Sequence, residues 1–365
     1  MLRLFPVFLL LFSAILFRFP AFHLSEPGSV QFLWFYDLTD GASTEFPSEW
    51  KNFPFNGVAI HESKGTVIVQ PEGRRIKIGE EERVSVPFLG GGYFRYMKVG
   101  KEIFYHSRES EILWRKPYFS YPVTDARGRI VMLLTGDSNR VDIVDSNGNP
   151  SGVKSIAGNF LTDYDFAVRA ERAAACFASG DLHVIGESGR AVAVYRHETD
   201  IRPTFLKSCS ISPDGSLLAF HMLEQDRDRI YIYRVDEGSS RLKKETSIDL
   251  PVIYPHLLHF ALNESGLLLS APDILRFYSL NGKEIWSTKQ ESSGVYHPVY
   301  ADRDFFVYGQ AGRLIAADDR GRTVFEAPVF GAEQFWRILP SREEHEFAVD
   351  TGSSVQFFRF RSYSR

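Results

Sequence analysis

A pattern of paired strands around a tight turn recurs along this chain at a period of about 40 residues, and a period of that size admits few folds. Its clearest copy is Ser212-Pro213-Asp214-Gly215-Ser216-Leu217-Leu218-Ala219-Phe220, followed by Arg229-Ile230-Tyr231-Ile232-Tyr233. The first run reads as a turn entering a strand, and the second as the next strand, rich in β-branched and aromatic residues. Four short strands per unit at that period predict an all-β propeller: sheets arranged radially, each packed only on its neighbours.

The units are written as strands A to D, from central channel to rim. Unit 1 takes Gly57–Ile60, Thr66–Val69, Arg75–Ile78 and Arg83–Val86. Unit 2 runs from Tyr93 through Ile103-Phe104-Tyr105 to Ile112-Leu113-Trp114, one strand short. Units 3 to 7 follow with C strands at Val141–Val144, Leu182–Ile185, Arg229–Tyr233, Ile274–Tyr278 and Leu314–Ala317. Asn147-Gly148, Asn281-Gly282 and Arg320-Gly321 supply C–D turns, where Gly accepts the positive φ of a tight hairpin. Unit 8 has Phe335–Ile338, Glu346–Val349 and Val355–Phe360, and then the chain runs out of strands. Eight C strands predict eight blades, with seven as the alternative because unit 2 is abbreviated. An open last blade would leave an unpaired edge. Val30–Tyr36 is expected to close it by pairing with Val355–Phe360. The organisation expected is residues 1–24 as export signal or membrane anchor, 25–52 as closing strand and linker, and 53–365 as propeller.

Leu4 to Phe17 is apolar and is flanked by Arg3 and Arg18. About 20 residues are needed to span a bilayer comfortably, so this shorter run suits the hydrophobic region of a signal peptide. No small-x-small cleavage site lies near Phe22, so an uncleaved anchor stays open. The expected location is extracytoplasmic, periplasmic in a bacterial envelope. The net charge of −4 lacks the basic stripe that a nucleic-acid binder needs. Cys176 and Cys209 fall on adjacent units. Buried free thiols are the favoured reading, with a bridge as the alternative in an exported chain.

Two repeat families are similar to parts of the chain. Ser212-Pro213-Asp214-Gly215 with Leu218-Ala219-Phe220 and Ile230-Tyr231-Ile232 resembles the Tol-type and WD-type propeller repeat. Leu280-Asn281-Gly282-Lys283-Glu284-Ile285-Trp286 and Asp319-Arg320-Gly321-Arg322-Thr323-Val324-Phe325 resemble the quinoprotein-type repeat. That repeat is shared by eight-bladed alcohol dehydrogenases and by the propeller lipoprotein of outer-membrane assembly. These motifs are structural, so the resemblance implies an architecture and no activity.

Candidate chemistry is sparse. Asp145-Ser146-Asn147-Gly148-Asn149 starts like a calcium loop, but Pro150 and Ile156 stand where Gly and Glu are required, which leaves a hairpin turn. Gly186-Glu187-Ser188-Gly189 is a C–D turn and no nucleophile elbow. Asn263-Glu264-Ser265 matches a glycosylation acceptor but sits in an A–B turn. Asp226-Arg227-Asp228-Arg229 reads as a solvated tip, with a partner-binding rim as its functional reading. His256 and His297 hold matching places at the start of A strands, and with His259 they form the one candidate metal or acid–base cluster at the channel mouth. No catalytic residue and no cofactor is assigned. The favoured function is a non-enzymatic scaffold for protein partners in the cell envelope, held to the membrane through residues 1–24 if these are uncleaved. The alternative is a quinoprotein, lactonase or lyase type of enzyme.

Overall fold

In this computed structural model residues 29–37 and 55–361 are described, apart from 63–64, 71–73, 152–154, 187–188, 197–203, 237–240, 252–254, 291–298, 303–304, 311, 330–336, 342–344 and 352–353. The described residues form eight antiparallel sheets, seven of four strands and one of three. No helix occurs among them. The inner strands are Glu82–Ser85, Ser120–Thr124, Leu161–Phe166, Thr204–Ile211, Leu257–Phe260, Val299–Ala301 and Arg337–Pro340, in blades 2 to 8. Successive inner strands of blades 4 to 8 lie against one another around the channel.

The ring is held by burial at its seams. Eight apolar clusters occur among the described residues, and each joins two neighbouring blades. In blade 5, Leu218, Phe220 and Met222 pack toward blade 4. The alternate residues Leu217 and Ala219 pack toward blade 6. In blade 8, Phe357 faces blade 1 and Phe358 faces blade 7. Side chains alternate along a strand, so an apolar pair in sequence feeds two seams.

The closing strand pairs as expected. Ser29–Asp37 lies antiparallel to Ser354–Arg361, from Ser29 opposite Arg361 to Asp37 opposite Ser354, with an irregularity between Phe32 and Trp34. It is the outer strand of blade 8, beside strands that begin the sheet at Arg337–Pro340.

Blades 1 and 2 correct the strand register read from the sequence. Arg83–Val86 is not an outer strand of blade 1. Glu82–Ser85 pairs with Tyr93–Met97 and is the inner strand of blade 2, which is therefore complete. The three strands of blade 1 (Val58–Glu62, Gly65–Val69 and Arg75–Ile78) are its second, third and outer strands. The Gln70 N–H bonds the Arg74 carbonyl, with the spacing of Ser107 on Glu111 and Ser279 on Lys283 in other C–D turns, and one further contact fixes the direction. The Asn56 N–H bonds the Phe88 carbonyl, so the strand at Val58 begins on the side where the inner strand of blade 2 ends. No inner strand of blade 1 lies among the described residues.

Two faces follow from the connections. One is made of B–C turns and D–A links, bonded to each other: Lys98 to Glu81, Leu161 to Ser138, Ala178 to Phe160. The other is made of A–B and C–D turns. There the Arg169 N–H reaches the Pro213 carbonyl at 2.8 Å and Arg172 reaches the Gly215 carbonyl at 2.9 Å, so the A–B turn of blade 4 grips that of blade 5. C–D glycines do a second job. Gly148 has φ +71° and a Cβ there would stand 2.8 Å from the Trp114 ring of the preceding blade. Gly321 has φ +76° and a Cβ would stand 2.7 Å from Trp286.

Replacing Gly321 by Ala should therefore cost about 1–3 kcal/mol, from left-handed backbone strain plus displacement of the Trp286 indole. Chemical denaturation followed by tryptophan fluorescence measures it; an unchanged midpoint would contradict the docking of turn on indole.

Candidate functional site: an apolar arc on one face

Large apolar side chains are exposed unevenly. On the face of B–C turns and D–A links, Met97 and Val99 project from blade 2, Phe119 and Tyr121 from blade 3, Phe160 from blade 4 and Phe205 from blade 5. Phe119 is 66 % exposed and Phe160 57 %. Among the described residues, blades 1, 6, 7 and 8 add none to this face. The backbone holds these residues in place. The Phe160 N–H bonds the Asn139 side chain of the preceding B–C turn at 2.9 Å, and the Phe160 carbonyl accepts from Ala178 at 2.8 Å. The Tyr121 ring packs edge-on against Tyr96, with centroids 5.8 Å apart. Single exposed hydrophobics are ordinary, whereas a run of them along four consecutive blades marks a surface for contact. Sequence reading missed the arc, because aromatic residues at strand starts look the same whether they feed a seam or a face.

Beside the arc, the inner strand of blade 4 carries two carboxyls toward blade 5. Asp163 Oδ2 accepts the Cys209 N–H at 3.0 Å. Asp165 Oδ2 accepts the Ser210 hydroxyl at 2.7 Å and the Ile211 N–H at 2.9 Å. Their other oxygens accept from Tyr164 at 2.9 Å and Phe166 at 2.8 Å. The free edge of blade 5's inner strand is thereby bonded by its neighbour's side chains. Burial pushes the Asp163 carboxyl up to about 7, against the Cys209 bond, with the nearby Asp165 charge adding to the rise. Burial pushes Asp165 up to about 6, against its bond from Ser210. With every oxygen engaged, the pair acts as a clasp between blades.

The histidine candidates are dispersed. His297 lies outside the described residues. His256 is buried, and its backbone N–H donates to His221 Nδ1 at 3.2 Å. Its carbonyl accepts the Ser208 hydroxyl at 2.5 Å. His221 Nε2 therefore carries the ring proton and meets Asp228 Oδ2 at 3.2 Å. Lys207 Nζ lies 2.8 and 2.7 Å from the two Asp228 oxygens. Burial pushes His221 below the ordinary histidine value, more than its bond to Asp228 raises it. Burial also works against the Asp228 carboxylate, but its bonds to His221 and Lys207 outweigh that and hold it low. Asp228 is thus a buried anion rather than part of a solvated tip, which corrects the reading of Asp226–Arg229. His259 stands on the inner strand of blade 6. Burial pushes it down to about 4, and its Nε2 has no hydrogen-bond partner among the described residues. Among those residues no group of three or more His, Cys, Asp or Glu is placed to hold a metal ion.

A cleft of about 160 Å³ lies between Arg337 and Leu339 of blade 8, Gly57 to Ala59 of blade 1, and Val84 to Val86 with Phe88 of blade 2. Arg337 bonds Asp350 at 2.9 Å and the Ala59 carbonyl at 2.7 Å. The cleft's one charged side chain is thus already paired.

No family model and no curated protein matches the chain. Among solved structures it is similar to the crystal structure of BamB from Moraxella catarrhalis, with a TM-score of 0.57 and 12 % identity over 92 % of this chain and 99 % of that one. It is also similar to KlHsv2 with loop 6CD replaced by a Gly-Ser linker, with a TM-score of 0.55 and 10 % identity over 75 % of this chain and 95 % of that one. At these identities the likeness is one of fold.

Two outcomes test the buried groups. An unfolded aspartate titrates near 3.8 and the folded Asp163 near 7. Between those values the folded chain binds the extra proton, so this group's contribution to stability falls as pH rises. The melting temperature of the wild type minus that of Asp163→Asn should accordingly decrease from pH 5 to pH 8; a flat difference would refute the shift. Lys207→Met keeps the aliphatic volume but strips Asp228 of its cation. It should cost about 3 kcal/mol or more by denaturant titration at neutral pH.

Proposed function

We propose that this chain is a non-enzymatic scaffold that binds a protein partner through the apolar arc of blades 2 to 5, outside the cytosol in the cell envelope. The observation that carries the reading is the arc itself. Met97, Val99, Phe119, Tyr121, Phe160 and Phe205 expose apolar surface together on one face, along four consecutive blades. Aromatic anchors on a rigid frame supply contact area at low cost in conformational entropy. The fold-level likeness to BamB supports an envelope role by analogy alone.

Residues 1–24 lie outside the described residues, and we read them as an export signal or anchor from their sequence. The polarity of the closing strand gives that reading a geometric consequence. Ser29 pairs with Arg361, at the end of a strand that runs from a B–C turn toward the opposite face. The closing strand therefore starts on the face of A–B and C–D turns and ends on the face of the arc. A tether ahead of Ser29 would hold the former toward the membrane and present the arc away from it.

Photo-crosslinking residues placed at Phe119 and Phe160, with Val168 on the A–B turn of the opposite face as control, test the proposal in cells. The same partner should be captured from both arc positions and not from the control. The double variant Phe119→Ser, Phe160→Ser should weaken binding of the captured partner at least about tenfold, with an unchanged melting temperature. Equal capture from Val168, or none from the arc, would overturn the reading.

A further inference from the structure

Cys176 and Cys209 are the only cysteines of the chain. Cys176 lies on the second strand of blade 4 and Cys209 on the inner strand of blade 5. Both are buried, at 0 % and 2 % exposure, in the one apolar cluster that joins those blades. Both are free thiols, and they lie close across the seam: Asp163, the register partner of Cys176, accepts the Cys209 N–H, and Cys176 is among the groups that raise the Cys209 thiol. Their surroundings fix them from both sides. Thr162 Oγ1 lies 3.3 Å from the Cys176 sulfur, and the Cys209 N–H is held by Asp163 at 3.0 Å. Packing alone would be served by any small apolar residue, as Ala174 and Ala193 serve it in the same cluster.

We infer that Cys176 and Cys209 are a disulfide-forming pair that cross-links blade 4 to blade 5 when the chain folds in an oxidising compartment. In the step, each thiol gives up its proton and one sulfur–sulfur bond forms. Two electrons pass to a disulfide-bearing oxidant, which leaves as two thiols. The bridge belongs to the folding stage. In the folded dithiol, burial first and the neighbouring Cys176 thiol second hold the Cys209 thiol well above its ordinary value, so attack by its thiolate is suppressed once the seam has closed. The cross-link would tie the second strand of blade 4, which pairs with the inner strand that follows Phe160, to the inner strand of blade 5 that carries Phe205, stiffening two blades of the exposed arc. It does not depend on that arc binding anything.

The test uses the full chain, produced once with export to an oxidising compartment and once in a reducing cytosol. Each sample is denatured with an alkylating reagent and weighed intact and after digestion. The exported chain should show no alkylatable thiol, a mass lower by about 2 Da before labelling, and a linked peptide pair containing both cysteines. It should melt several degrees higher than the cytosolic sample. Reductant after unfolding should restore two thiols, and Cys176→Ala should abolish the difference between compartments. An exported, folded chain that retains two alkylatable thiols overturns the inference. Glutathione adducts or dimers joined through single cysteines also overturn it. None of these readouts needs a partner, so a negative result leaves the scaffold reading standing and partner failure leaves this one standing.

Discussion

Everything in this molecule rests on sheets that are buried on both faces. A sheet in a two-layer protein hides one face and wets the other. Here each blade has two neighbours, so consecutive residues of a strand serve different seams, as Ala219 and Phe220 do. The second strands carry the heaviest load: Ala173–Phe177 and Gly266–Ala271 are buried at every position. Burial at about 25 cal/mol per Å² of apolar surface is non-directional. It brings blades together without setting their angle. The directional contacts do that: Arg172 on Gly215, indole rings on the C–D glycines of the next blade, and carboxyls on backbone amides.

The inner strand is the weak place of such a design. It has a bonded partner on one side and the channel on the other, so its outward amides need acceptors. Asp163 and Asp165 meet that need for Cys209 and Ile211, and on the second strand of blade 1 Arg337 meets the reverse need for the Ala59 carbonyl. Desolvation raises the two aspartates because the clasp places acceptors where water is scarce. Perturbed carboxyls near a channel invite a catalytic reading. In this chain their oxygens are all occupied by the neighbouring backbone and one serine, and the geometry gives them a structural task.

Much of this was legible in the sequence, and the misses share a cause. Third strands and C–D turns carry strong local signals, so Val141–Val144, Leu182–Ile185 and Ile274–Ser279 fall where the repeat puts them. The closing strand was legible as the remedy for an open edge. Inner and outer strands are harder, because both are only half-buried. Arg75–Ile78 and Glu82–Ser85 have nearly the same exposure, although one sits at the rim and the other at the channel. The turn lengths held the missing signal. Other A–B turns run from Asp125 to Ile130 or from Ser212 to Leu217, whereas only Ser63 and Lys64 separate the first two strands of blade 1. The Lys207–Asp228–His221 network left no local trace, since its members meet only after three strands pair.

The zipper between Ser29–Asp37 and Ser354–Arg361 has a temporal meaning as well as a geometric one. It joins the two strands most distant in sequence among the described residues, so it carries the largest chain-closure entropy of the described pairings. Ser29–Asp37 is synthesised before the blades it closes yet finds its mate only after Ser354–Arg361 has been made. Until then blade 8 presents a naked rim to every other nascent chain nearby. Ring closure is therefore exposed at that late step, and a helper that shields either strand would act there.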